Sequence, residues 1–113
     1  MTLSDLGMIW WILDGHTPRL VGWDEYLAWQ KAGSPDNRRV AQDTLGDVWV
    51  STVFLTVDHA FLGGPPILFE TMIFGGPHDQ LCWRYATWEG AEAGHRRVVA
   101  HLRAGTDPDE DIA

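Results

Sequence analysis

The residues of this 113-residue chain that could do chemistry gather in its middle and near its end. They are Asp58, His59 and Glu70 around one loop, and His95 in a helix-like stretch. Glu70 stands in FETMIF, and a carboxylate in a largely apolar strand must be paired, hydrogen-bonded or neutralised. It can lie on a solvated face, pair with an arginine such as Arg39 or Arg84, or act as a ligand-binding or acid–base group in a cleft. His95 falls within an apolar helical stripe, as a satisfied core residue or as a polar group facing a sheet near Glu70 or Asp58-His59. His59 begins a loop, where a rigid scaffold can present a functional side chain.

Strand alternation decides which of these groups can meet. Residues 48–57 and 67–74 are β-branched and aromatic runs around Gly63-Gly64-Pro65-Pro66, and they read as a hairpin. Val48, Val50, Thr52, Phe54, Thr56 and Asp58 share one face of the first strand; Trp49, Ser51, Val53, Leu55, Val57 and His59 share the other. In the return, Glu70 lies with Leu68, Met72 and Phe74, and Thr71 faces the opposite way. A loop centred near residue 62 sets Phe54 opposite Glu70, with Thr52 and Thr56 diagonal to it. The expected ligand site is then Thr52, Asp58, His59, Glu70, Thr71, Arg84, Tyr85, Trp88 and His95, with Glu70, His59 and His95 as the catalytic candidates.

Other chemistries find less support. His95 and His101 are six residues apart, about 240° around a helix, so they do not converge on a metal. His16, His59 and His78 are scattered and no HExxH is present, so neither a metal nor an organic cofactor is implied. Cys82, the single cysteine, has no neighbouring His and cannot form an internal disulfide, and Ser51 is not on a GxSxG elbow. The Gly63-Gly64-Pro65-Pro66 and Gly75-Gly76-Pro77 segments precede no helix and carry no GK[ST], so they read as turns. Arg38-Arg39 and Arg96-Arg97 concentrate the positive charge. Each pair can be a solvated surface, or together they can hold an anionic small molecule against aromatic rings.

The elements that must position these groups follow from periodicity and turn chemistry. Residues 8–13 read as a strand that turns at Asp14-Gly15 and continues through 19–22. Trp23–Ala32 reads as a helix, acidic in its first turn and stopped by Gly33. Arg39–Leu45 is a strand that turns at Gly46-Asp47 into 48–57. Thr87 caps a final helix, Trp88–Ala104, ended by Gly105, whose stripe of Trp88, Ala91, His95, Val98 and Leu102 should pack on the sheet. The expectation is a single α+β domain over residues 1–105: an antiparallel sheet of four to five strands, one short helix, and a C-terminal helix packed on the sheet. Residues 106–113 read as an acidic disordered tail.

Composition narrows the partners. Sixteen acids against eight bases give a net charge of −8. Four of the acids fall in the tail, leaving a body of twelve acids and eight bases that argues against a broad nucleic-acid surface. An anionic small molecule, which needs only one or two arginines, is not excluded. Seven Trp exceed what packing alone requires and suit interfaces or ligand stacking. The N-terminal sequence has neither a signal-peptide pattern nor a spanning apolar run, which predicts a cytoplasmic protein with no membrane partner.

Three blocks, VSTVFLTVDH (50–59), PPILFETMIFGG (65–76) and RYATWEGAEAGH (84–95), resemble a family of short actinobacterial and actinobacteriophage proteins with VSTVFLGLDH, PPLLFETMVFGG and RYxTWEEAExGH. Here Thr56-Val57 replaces a Gly-Leu pair, and Gly90 replaces the Glu that would complete a capping box with Thr87. The resemblance implies a bacterial or phage-infected host cell and brings no activity with it. Three functions remain open. The first is a homo-oligomeric binder of a small anionic or nucleotide-like ligand, for example one that sequesters a host immune signal. The second is an interaction module or inhibitor acting on a host protein. The third is a small hydrolase or isomerase using Glu70 with His59 or His95.

Overall fold

Two tight turns set the strand frame. Gly15 (φ 65°) and Gly46 (φ 63°) each occupy the first position of a two-residue loop, a conformation that only glycine adopts cheaply and that matches the twist of a hairpin. The structure, a computed structural model, describes residues 9–33, 37–60 and 63–109. Its elements are β1 (Trp10–Asp14), β2 (Thr17–Val21), α1 (Trp23–Ala32), β3 (Arg39–Leu45), β4 (Val48–Phe54), β5 (Phe69–Phe74), β6 (Cys82–Tyr85) and α2 (Trp88–Ala104). The fold is α+β, with β1–β2 as a separate hairpin and β3-β4-β5-β6 as an antiparallel meander.

α2 covers one face of the meander. Its start is held by the Thr87 hydroxyl, which accepts from the Gly90 amide at 3.0 Å even without a capping-box Glu. Gly105 (φ 73°) closes its end in the left-handed conformation. Ala91, His95, Val98 and Val99 are buried beneath it, against Val50, Phe54, Phe69, Ile73 and Trp83 of the sheet. At Gly94 an added Cβ would overlap the Tyr85 ring, so the glycine is what lets helix and β6 approach.

The β1–β2 hairpin and α1 form a smaller cluster around Ile12, Val21 and Tyr26. It is joined to the meander by packing of Trp11, Leu13 and Trp29 on the Phe54–Phe69 cluster and by specific contacts. The Trp11 amide donates to the Thr56 carbonyl (2.9 Å), the Trp29 ring meets Phe54 edge-on (6.0 Å between centroids), and Arg38 Nη2 donates to the Tyr26 hydroxyl (2.9 Å).

The architecture matches the sequence expectation in class, and four details differ. The sheet is split in two. The strand expected over 48–57 stops at Phe54; the Leu55 amide still bonds the Leu68 carbonyl, and beyond it the Thr56 carbonyl receives the Trp11 amide of β1. β5 begins at Phe69 rather than two residues earlier, and β6, only four residues long, was too short to carry a periodic signal. The acidic tail is in contact with the body where it is described. Pro108 is fully buried, Asp109 accepts from the Trp83 indole at 3.1 Å, and Asp107 caps the Asp109 amide. Residues 110–113 lie outside the described residues, as does position 62, on which the hairpin loop was centred. No helix among the described residues is long and apolar enough to cross a membrane.

Candidate functional site

The register of β4 against β5 places Val53, not Phe54, opposite Glu70, and Thr52 opposite Thr71. This corrects the expected pairing by one residue and, because strands alternate, moves Glu70 to the opposite face from Thr52, Thr71 and His95. The polar groups therefore divide into two sites, one on each face of the sheet.

Under α2, Thr52, Thr71 and His95 form a buried chain. His95 Nε2 lies 2.8 Å from Asp43 Oδ2, His95 Nδ1 lies 2.7 Å from Thr52 Oγ1, and Thr52 Oγ1 lies 2.5 Å from Thr71 Oγ1. A carboxylate only accepts, so in the neutral imidazole Nε2 carries the hydrogen, Nδ1 accepts from Thr52, and Thr52 accepts from Thr71. The buried Tyr85 hydroxyl approaches Thr71 without a hydrogen bond of good geometry. Burial pushes its pKa above the usual tyrosine value, while Thr71 and the positive charge of Arg97 pull the other way. Carboxylate, imidazole and hydroxyl in sequence are the parts of a nucleophilic triad. Yet Thr52 and Thr71 are both 0% exposed, so no substrate can reach their hydroxyls. The chain is a satisfied polar network that fixes how α2 sits on three strands.

The other face holds an open cleft of about 460 Å³, within the range of small-molecule sites. Arg38, Arg39, Gln42, Ser51, Thr56 and His59 are its polar residues, Val53 and Leu55 its apolar floor, and Trp49 an aromatic wall. No carboxylate is among the described residues that line it. A β-bulge between Arg39 and Ala41 makes this possible. Regular alternation back from the Ala41–Thr52 pair would set Arg39 opposite Phe54, under the helix. The extra residue instead sets Arg39 opposite Val53, on the cleft side, and turns Val40 toward the apolar cluster of Phe54 and Phe69.

The nine residues expected to form one site are thus dispersed. Of them, His59 lines the cleft. Asp58 Oδ1 accepts from the Ala60 and Ile67 amides (2.8 and 2.9 Å), bracing the two sides of the loop that carries His59. Glu70 is paired with Arg84 Nε at 2.9 Å, so the expected Glu70–His95 acid–base pair does not exist. Trp88 stacks on His16 (3.8 Å, 8°) and meets Phe69 edge-on. Arg96 and Arg97, on α2, do not join Arg38 and Arg39 around the cleft. Sequence reasoning missed Asp43, Gln42 and Trp49. Asp43 and Gln42 lie within the strand read over Arg39–Leu45 and were given no role there, and their roles depend on which strands and helix they meet. Among the described residues no three His, Cys, Asp or Glu side chains gather as a metal site. Comparison of the chain with family models, curated proteins and solved structures finds no match.

Proposed function

We propose that this protein binds a small anionic molecule in the cleft between β3 and β4, and that it acts by holding the ligand rather than converting it. The observation that carries this reading is the cleft's composition: two arginines, an imidazole, an amide and two hydroxyl residues around an apolar floor, with no acid among the described lining residues. Guanidinium groups recognise phosphate and carboxylate by paired charge-assisted hydrogen bonds, and the apolar floor excludes water from them. The overall charge of −8 makes a local cluster of arginines informative, since the net field of the chain disfavours anions. Turnover has less support. Glu70 lies outside the cleft lining and is engaged by Arg84; of the hydroxyls held by an imidazole among the described residues, Thr52 is sealed beneath α2 and Thr106, beside His101, does not line the cleft. In the cytoplasm of a bacterial or phage-infected cell, such a binder would sequester a nucleotide-like signal.

Thermal unfolding against nucleotides, cyclic dinucleotides and ADP-ribose derivatives tests the proposal. A ligand at one hundred times its dissociation constant adds roughly 2.7 kcal/mol, a rise on the order of 10 °C in a domain of this size. Arg39→Gln should abolish the rise. Absence of any shift across the panel argues against the cleft as an anion site. The half-exposed Ile9, Trp23 and Val57 favour a second reading, a protein-contact or self-association surface. Sedimentation analysis separates the two, because a monomer at all concentrations removes the self-association part.

A further inference from the structure

The groups lining the cleft follow an order along the strands. The arginines are at one end: Arg39 lies opposite Val53, and the Arg38 carbonyl accepts from the Phe54 amide at 2.7 Å. Gln42 and Ser51 come next, as direct cross-strand partners. Trp49 closes the other end, with 39% of its surface exposed and one edge against Phe74 (4.9 Å between centroids). Val53 and Trp49 are four residues apart on one face, a span of about 13 Å along the strand. Cationic groups, hydrogen-bonding groups and a flat ring therefore succeed one another in a single line. An inorganic anion would use only the first of these.

We propose that the cleft takes a nucleoside monophosphate, with the phosphate at Arg38 and Arg39, the ribose hydroxyls at Gln42 and Ser51, and the base stacked on Trp49. The proposal rests on the reading of the cleft as an anion site and adds the ligand class. Arg38 spends one N–H on the Tyr26 hydroxyl, and a guanidinium has five, so the fork can still meet phosphate oxygens. Stacking on Trp49 is sequence-tolerant, so purine and pyrimidine both bind, and the ring should contribute roughly tenfold in affinity.

Calorimetric titration of the full chain with adenosine 5′-monophosphate, uridine 5′-monophosphate, ribose 5-phosphate and inorganic phosphate tests it. At least one nucleotide should bind about tenfold more tightly than ribose 5-phosphate, and Trp49→Ala should close that gap while leaving ribose 5-phosphate unchanged. If Trp49→Ala does not fold, Trp49→Leu keeps apolar bulk on the strand and removes the ring. Nucleotides that bind no better than ribose 5-phosphate, or a preference that survives loss of Trp49, would overturn the nucleotide assignment and leave the anion site standing. No saturable binding by any of the four would overturn both.

Discussion

On the helix-covered face of the meander, Thr52, Thr71 and His95 are satisfied by one another and by Asp43. On the open face, one residue along the same strands, Gln42, Ser51 and the arginines border a cleft. The two faces use similar polar residues to opposite ends. Where burial is complete, a polar group must find a protein partner, and the resulting network specifies one packing of α2. Where the sheet is uncovered, polar groups instead border a cleft that a ligand can enter. Alternation assigns each strand residue to one face or the other, so a one-residue register change would exchange their roles.

Breaking the covered face should have the largest effect. His95→Ala removes the link between α2, β3 and β4 and strands Thr52 in an apolar setting, a loss of about 3 kcal/mol. Urea unfolding measures it, and a loss below about 1 kcal/mol would show the network to be idle. Thr52→Val should cost roughly 1–3 kcal/mol by leaving His95 Nδ1 without a donor. The Thr52→Val, Thr71→Val double variant should cost less than the sum of the singles, since the two hydroxyls are direct partners. Gly94→Ala comes next. Alanine favours a helix by about 1 kcal/mol, but overlap with the Tyr85 ring should reverse the sign, to a net destabilisation of about 2 kcal/mol. A more stable variant would mean that Tyr85 does not seat against the helix.

The same face predicts an alkaline weakness. Burial raises the Tyr85 pKa in the folded chain above its unfolded value near 10, so the folded state holds that proton more tightly. The stabilisation is then fully present below about pH 10 and is lost as pH climbs from there through the raised folded value. Tyr85→Phe should flatten this part of the stability profile between pH 9 and 11. Parallel profiles for the two proteins would remove Tyr85 as the cause.

The sequence made much of this fold legible, because its signals were local. The glycine turns at 15 and 46, the Thr87 cap, the Gly105 stop and the stripe through Ala91, His95 and Val98 each require only neighbours in the chain. The split into two faces was also readable from alternation within 48–54. The pairing of the two central strands was not, since loop length fixes register only when the loop conformation is known, and an error of one residue placed Glu70 among the threonines. The bulge at Arg39 was equally hidden. Nothing in RRVAQ announces an extra residue, yet that residue delivers Arg39 to the cleft and Val40 to the core. The network partner Asp43 could have been sought, because a histidine in an apolar stripe needs an acceptor on the strand it crosses.

The smallest expected effect sharpens the contrast from the open side. Glu70 and Arg84 are cross-strand partners at 2.9 Å, with side chains 15% and 43% exposed, and they do not line the cleft. The Arg84 end of the pair is open to water, which weakens its Coulomb attraction, so Arg84→Ala should cost about 1 kcal/mol, and added salt should shrink the difference. Glu70→Gln should cost no more, because the amide can still accept from Arg84. Ligand affinity should be unchanged in both variants if the cleft is bounded by β3 and β4. A loss of binding in Glu70→Gln with the fold intact would instead extend the site across β5, making the carboxylate that first drew attention part of it after all.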